Sequence, residues 1–182
     1  MESIKNIIIS IGMLCSFWVP TVNGAKPLET VTHVDLDRYL GKWYEIARYE
    51  APFQQGCVAS QAQYSLNSDG TIKVVNECRD KTLDGKLRRA EGKAWVVDSV
   101  SQAKLKVQFF WPFRGDYWVI DLGKDYEYSV VSEPKRRFLW ILSRKPKMNE
   151  TVLNEIKERL SHNEFDLSKL KMTLQPETQE NH

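Results

Sequence analysis

At 182 residues the chain is long enough for one domain with a sizeable core and short for two. Its 26 basic and 24 acidic residues are interspersed and leave a net charge of +2, so there is neither a basic block for nucleic acid nor an acidic tail. The three histidines, His33, His162 and His182, fall in the leader, at a helix end and in the tail, which argues against a metal trio or a Ser/His/Asp arrangement, and no phosphate-binding glycine loop is present.

Residues 1–24 read as a signal peptide: Lys5 in a short basic region, an apolar run from Ile7 to Val19, then Val22-Asn23-Gly24 as small residues before Ala25. The run is too short to span a bilayer. Cys15 follows Met13 and Leu14, a poor match to a lipid-anchor signal, so the expected mature chain is an unacylated single domain over residues 25–182. Removing the signal leaves Cys57 and Cys78, an even count in an oxidising compartment, and a disulfide is expected. The two bracket a hairpin turning at Asn67-Ser68-Asp69-Gly70, and the simplest in-phase register does not put both on one face, so a bulge or an irregular strand end is required.

After a polar lead, Leu36, Tyr39 and Leu40 suit one helical turn closed by Gly41 in a left-handed conformation. The pattern then turns mostly to period two. Strands are expected over residues 43–49, 58–66, 71–77, 86–97, 104–110, 116–122, 126–131 and 137–144, with residues 111–115 as a turn. Eight short strands at this spacing predict an antiparallel up-and-down barrel, wide enough to be filled by side chains or to hold one small ligand. Asn149 then caps a helix whose Val152, Leu153, Ile156 and Leu160 share one face and dock on the barrel. Residues 170–174 return to period two as a short extra strand against the first.

Three motifs carry a resemblance. Gly41-Lys42-Trp43 opens the first strand, Lys124-Asp125-Tyr126 stands at a late turn with Lys where Thr is usual, and Leu139-Trp140-Ile141-Leu142-Ser143-Arg144 ends the last barrel strand. In order and spacing this resembles the lipocalin family, and the phrases from Gly41 to Arg48 and Gly92-Lys93-Ala94 are similar to its bacterial outer-membrane lipoprotein branch, related to apolipoprotein D and the plant temperature-induced lipocalins. The resemblance covers about residues 30–175. It implies an all-β eight-stranded lipocalin barrel with a short N-terminal helical turn, a C-terminal helix packed outside, and a floor closed by Arg144 lying across Trp43 beside Gly41.

Period two carried from Trp43 points Glu45, Ala47 and Tyr49 inward; carried back from Arg144 it points Trp140 inward. Tyr64, Ala94, Phe109, Trp118 and Tyr128 complete the expected lining, with Trp118 preferred to Tyr117 by family likeness. A carboxylate at Glu45 would repel an acid headgroup placed deep, so a fatty acid is expected to enter tail first. By resemblance, the function is binding, storage or transport of a fatty acid or lysophospholipid in a bacterial envelope, periplasmic and in reach of the outer membrane surface. A monomer or weak homodimer is expected, with no cofactor, metal, nucleic-acid partner or catalytic residue. The alternatives are a lipocalin-fold enzyme using Cys57 as a thiol and a scavenger of haem or another hydrophobic molecule.

Overall fold

Asp35 ends the polar lead by accepting hydrogen bonds from the backbone N–H groups of Asp37 and Arg38, which caps the single turn α1, Leu36–Tyr39. Gly41, at φ +93°, reverses the chain into a strand, and a side chain there would press on the Arg144 guanidinium. The computed structural model describes residues 26–176, so the expected signal peptide, Cys15 and the last six residues lie outside it. Within the described residues the strands are β1 Gly41–Tyr49, β2 Cys57–Leu66, β3 Ile72–Asp80, β4 Leu87–Val96, β5 Lys104–Phe110, β6 Phe113–Leu122, β7 Tyr128–Ser132 and β8 Leu139–Ser143. Helix α2, Glu150–His162, and β9, Leu170–Met172, follow.

Each strand from β2 to β8 pairs antiparallel with the next, and β1 joins β8 to β2, which closes an eight-stranded barrel. Closure leaves no free edge among the eight. The end carrying α1 and Arg144 is the floor; the β1–β2, β3–β4, β5–β6 and β7–β8 loops surround the mouth. Strand β9 pairs with β1 beyond the point where β1 parts from β2. The chain after it wedges into that seam: Ala59 N donates to Leu174 O, and the Gln175 amide bridges Glu45 O and Ser60 O at 2.8 Å each.

Helix α2 is capped by Asn149 and buries Leu153, Ile156 and Leu160 against the outer face of the barrel, on Ile46, Ala47, Val130, Leu139 and Ile141. The polar lead is tied across the outside and the floor, Val31 N donating to Val119 O and Val34 N to Ser101 O.

Two departures from the sequence reading have local causes. A bulge at Ile46 shifts the β1–β8 register from Glu45 opposite Leu142 to Ala47 opposite Ile141. An extra residue in one strand reverses the facing of everything after it. Ala47 and Tyr49 therefore lie under α2 and not in the lumen. The β5–β6 hairpin turns at Trp111-Pro112 alone, so β6 starts at Phe113 and not at 116, and Leu105 pairs with Tyr117. Tyr117 faces in and Trp118 faces out, its ring under Lys104 Nζ at 4.6 Å. Tyr128 also faces outward, where Arg159 of α2 donates to its hydroxyl at 3.0 Å.

Cys57 and Cys78 form a disulfide with Cα atoms 5.4 Å apart. Of the two irregularities that this pairing allowed, a bulge or an irregular strand end, the register shift falls inside β2 between Val58 and Gln61, with Ala59 at φ +48°.

Candidate functional site: the barrel lumen

Residues opposite each other in a ladder share one face of the sheet, so the register around the barrel defines its interior. From Trp43 it runs to Ala62, Asn76 and Ala90, and from Tyr64 to Val74 and Gly92. Ala94 leads to Val107 and Gly115, and Leu105 to Tyr117.

The floor is sealed. Trp43 is fully buried and its indole N–H donates to Tyr39 O at 2.9 Å. The Arg144 guanidinium lies 3.7 Å from the centre of the Trp43 ring and donates to the carbonyls of Arg38, Tyr39, Leu40, Lys42 and Tyr126. One side chain thus ties α1, the start of β1 and the β6–β7 turn together, using the fixed fork of guanidinium donors. Tyr126 is held in turn, its hydroxyl accepting from Asp35 N at 2.8 Å with the Arg38 guanidinium 4.2 Å above its ring.

Above this seal, phenols cross the barrel. Tyr39 rises from α1 and its hydroxyl bonds to Ser129 Oγ of β7 and to Tyr117 of β6, both at 2.8 Å. Tyr117 meets Tyr64 of β2 at 3.1 Å. Strands β2 and β6 are four apart in either direction around an eight-stranded barrel, so the last contact spans its diameter. Burial pushes the Tyr39 phenol up to about 12 and raises Tyr64 and, further, Tyr117, so all three are neutral hydroxyls over the ordinary pH range.

Toward the mouth the interior changes character. Ala62, Ala90, Gly92 and Gly115 are small and face inward. Ala90, Gly92, Phe109 and Trp140 are only half-buried, while Asn76 and Gly115 are exposed although they face the axis. Trp43, Tyr64 and Ala94 below them are buried, and the Phe109 ring covers Gly92, where a Cβ would meet it at 2.8 Å. At the wall, Arg48 donates to Glu45 Oε1 at 2.6 Å, to Thr173 Oγ1, and to the carbonyls of Gln54 and Cys57. Gln54, from the β1–β2 loop, donates to Glu45 Oε2 at 2.9 Å and accepts from Trp140 Nε1 at 2.8 Å. Glu45 is thus paired, not isolated. Arg48 Nε, like Ser60 Oγ and Gln108 Nε2, is buried without a partner among the described residues.

Of the residues expected to line the lumen, the structure brings Glu45, Tyr64, Ala94, Phe109 and Trp140 to its inner face and sends Ala47, Tyr49, Trp118 and Tyr128 outside. Sequence reasoning missed Arg48, Gln54, Tyr39 and Tyr117. Ala90 had a usable signal, since it continues the alternate small residues Gly92 and Ala94; Arg48 and Tyr117 depend on the bulge in β1 and the tight β5–β6 turn, and Tyr39 and Gln54 come from α1 and the β1–β2 loop, where strand period gives no facing. Phe53, Phe110, Trp111 and Phe113 stand exposed around the mouth. A separate depression of about 270 Å³ lies on the outer face of β2 and β3, between Gln61, Glu77, Arg79 and Gln175, and its charged walls do not suit an acyl chain.

The chain matches the family described as Lipocalin-like domain over residues 34–175. Temperature-induced lipocalin-1 of Arabidopsis thaliana is 40% identical over 162 residues, which cover 84% of this chain and 86% of the relative. Outer membrane lipoprotein Blc of Escherichia coli K12 is 40% identical over 151 residues, 83% and 85% of the two chains. Apolipoprotein D of Macaca fascicularis is 34% identical over 149 residues, 76% of each. The structure of insecticyanin from the tobacco hornworm Manduca sexta superposes with a TM-score of 0.68 at 19% identity, over 85% of this chain and 87% of that one, a likeness of fold. With its closed barrel, external helix and these relatives, the chain belongs to the lipocalin family.

Proposed function

We propose that the protein binds a single-chain amphiphile, a fatty acid or lysophospholipid, tail first in the upper lumen, and stores or carries it in the cell envelope. The observation that carries this reading is the asymmetry of the interior: sealed below by Trp43 and Arg144, and lined above by small and aromatic side chains that are less buried toward the mouth. An apolar, mostly preformed concavity with a few polar groups is the usual form of a small-molecule site. Arg48 is buried and shared between Glu45 at 2.6 Å and Glu50 at 3.5 Å, so its Nε–H, without a partner among the described residues, is a donor to a headgroup oxygen and not a free cation, while Glu45 opposes an anion placed deeper. The exposed aromatic rim suits loading and release at a lipid surface.

Export fits the first 24 residues, and the names of the bacterial relatives place those proteins at an outer membrane. The mature chain is expected to begin near Ala25; a diacylglyceryl group on Cys15 in N-terminal mass analysis would instead make it a membrane-anchored carrier. The alternatives have less support. Cys57 is held in a disulfide, and His33 and His162 are exposed and outside the lumen, which disfavours thiol chemistry and histidine-ligated haem.

The test is mass spectrometry of lipid extracted from protein purified without denaturation, joined to titration with a fluorescent fatty acid. One single-chain lipid per protein and saturable displacement are expected. Absence of bound lipid together with absence of uptake would overturn the reading.

A further inference from the structure

We infer that the phenol crossbar at the base of the lumen is a binding subsite for an oxygen at the far end of the ligand, so that the barrel accepts acyl chains carrying a distal hydroxyl or carbonyl. This rests on the proposed reading of the lumen as a chain-binding site and names the class of chain.

Ser129, Tyr39, Tyr117 and Tyr64 form a linear chain of four hydroxyls joined by three hydrogen bonds. Each hydroxyl brings one proton. Four donors serving three bonds leave one O–H with no acceptor inside the chain, whichever way the protons run, and the structure gives these hydroxyls no other partner among the described residues. Tyr39 and Tyr64 are buried with ring centroids 5.9 Å apart, and Tyr64 meets the Tyr117 ring edge-on at 6.1 Å. Water reaches this layer only through the lumen, because Trp43 and Arg144 close the other side. A buried donor without an acceptor costs free energy that a ligand oxygen can recover.

Position supports the same conclusion. The Tyr64–Tyr117 contact closes the full diameter, so a chain that enters tail first stops against hydroxyls and not against the apolar packing beneath. An ordinary methyl terminus would cover the spare O–H and leave it unsatisfied. A terminal oxygen accepts from it, and a terminal hydroxyl can also donate into the free lone pairs of Tyr64. The phenols stay neutral and remain donors throughout the pH range of interest, since burial raises all three.

The experiment compares unbranched fatty acids from dodecanoic to octadecanoic acid with their ω-hydroxy counterparts, by displacement of a fluorescent fatty acid. An ω-hydroxyl driven into a wholly apolar pocket would weaken binding by roughly ten- to a hundredfold. In the wild-type protein the penalty is expected to shrink to within about threefold at the chain lengths that reach the crossbar. In the Tyr64→Phe/Tyr117→Phe variant the penalty, taken against the methyl-terminated acid of equal length in the same variant, should return to about tenfold or more. Both hydroxyls are removed together because a single removal leaves the other as a donor on the same diameter; the Ser129–Tyr39 pair that remains keeps one spare proton but no longer reaches across to β2. The pair is also the safer change for folding, since each loses a partner that is itself removed and Tyr39 keeps Ser129. The chain-length comparison in wild-type protein needs no variant. A tenfold or larger penalty at every length in wild-type protein overturns the inference, as does a hydroxy-to-methyl ratio that the double variant does not move. Failure of every acid to bind overturns the carrier reading as well; binding of the methyl acids without tolerance of the hydroxyl overturns the crossbar subsite alone.

Discussion

Arg144 does more than stack on an indole. Its five carbonyl acceptors belong to α1, the start of β1 and the β6–β7 turn, and several would be left without donors if it were removed. Arg144→Ala is therefore expected to destabilise the fold by roughly 2–4 kcal/mol, more than a cation–π contact alone, with fatty-acid affinity nearly unchanged per folded molecule. Denaturant unfolding and ligand titration on the same sample check this; loss of affinity at full stability would mean the floor belongs to the binding site. The buried phenols make a second statement, about pH. Their folded pKa values lie above the unfolded value, Tyr39 at about 12, so the stability held by neutral phenols is complete below about pH 10 and is lost as pH rises through the folded values. Denaturant midpoints should fall with rising pH above about 10. The fall should be shallower in the Tyr64→Phe/Tyr117→Phe variant; an identical slope would show that the alkaline transition belongs to other groups.

The inward positions of strand β4 grow more buried toward the floor. Ala90, opposite Asn76, is half-buried, whereas Ala94 is buried between Ile72 and Val107. Ala90→Trp should be tolerated in stability and exclude ligand, while Ala94→Trp should overpack the lower core at a cost of about 1–3 kcal/mol. If Ala90→Trp were as damaging as Ala94→Trp, the barrel would be filled throughout. The contrast also shows what the sequence could and could not convey. Strand number, the capped helix, the extra strand on β1 and the irregularity required by Cys57 and Cys78 follow from period, turn residues and parity, which are local. Inward facing in the second half of β1 does not. Glu45, Ala47 and Tyr49 alternate without interruption in the sequence, and the bulge at Ile46 arises where β1 must turn from pairing with β2 to accept β9. That choice is made by tertiary packing, with Ile46 and Ala47 drawn under α2. Trp118 was misplaced for a related reason: both Tyr117 and Trp118 are large and aromatic, and only the tight turn at Trp111-Pro112 fixes which one faces in.

At the scale of the whole barrel, the two ends have opposite chemistry. The floor is tied by hydrogen bonds, while the mouth exposes Phe53, Phe110, Trp111 and Phe113, the last three 75%, 84% and 78% exposed. Solvated Arg114, Lys135 and Arg137 lie on the same side, on the strand leaving the β5–β6 hairpin and in the β7–β8 loop. Aromatic side chains flanked by cations suit the interface of an anionic bilayer, where rings sit at headgroup depth and each nearby cation contributes about 1 kcal/mol. A mouth held against the membrane would let a chain pass between bilayer and lumen without crossing water. Transfer of a fluorescent fatty acid from the protein to phosphatidylglycerol-containing vesicles should then speed up in proportion to vesicle concentration, and rising salt should slow it. Trp111→Ala/Phe113→Ala should slow transfer several-fold while the affinity for the free acid stays unchanged, since both side chains stand outside the lumen. A transfer rate independent of vesicle concentration, and equal in the variant, would mean that the acid leaves through water and that the exposed rim has no part in delivery.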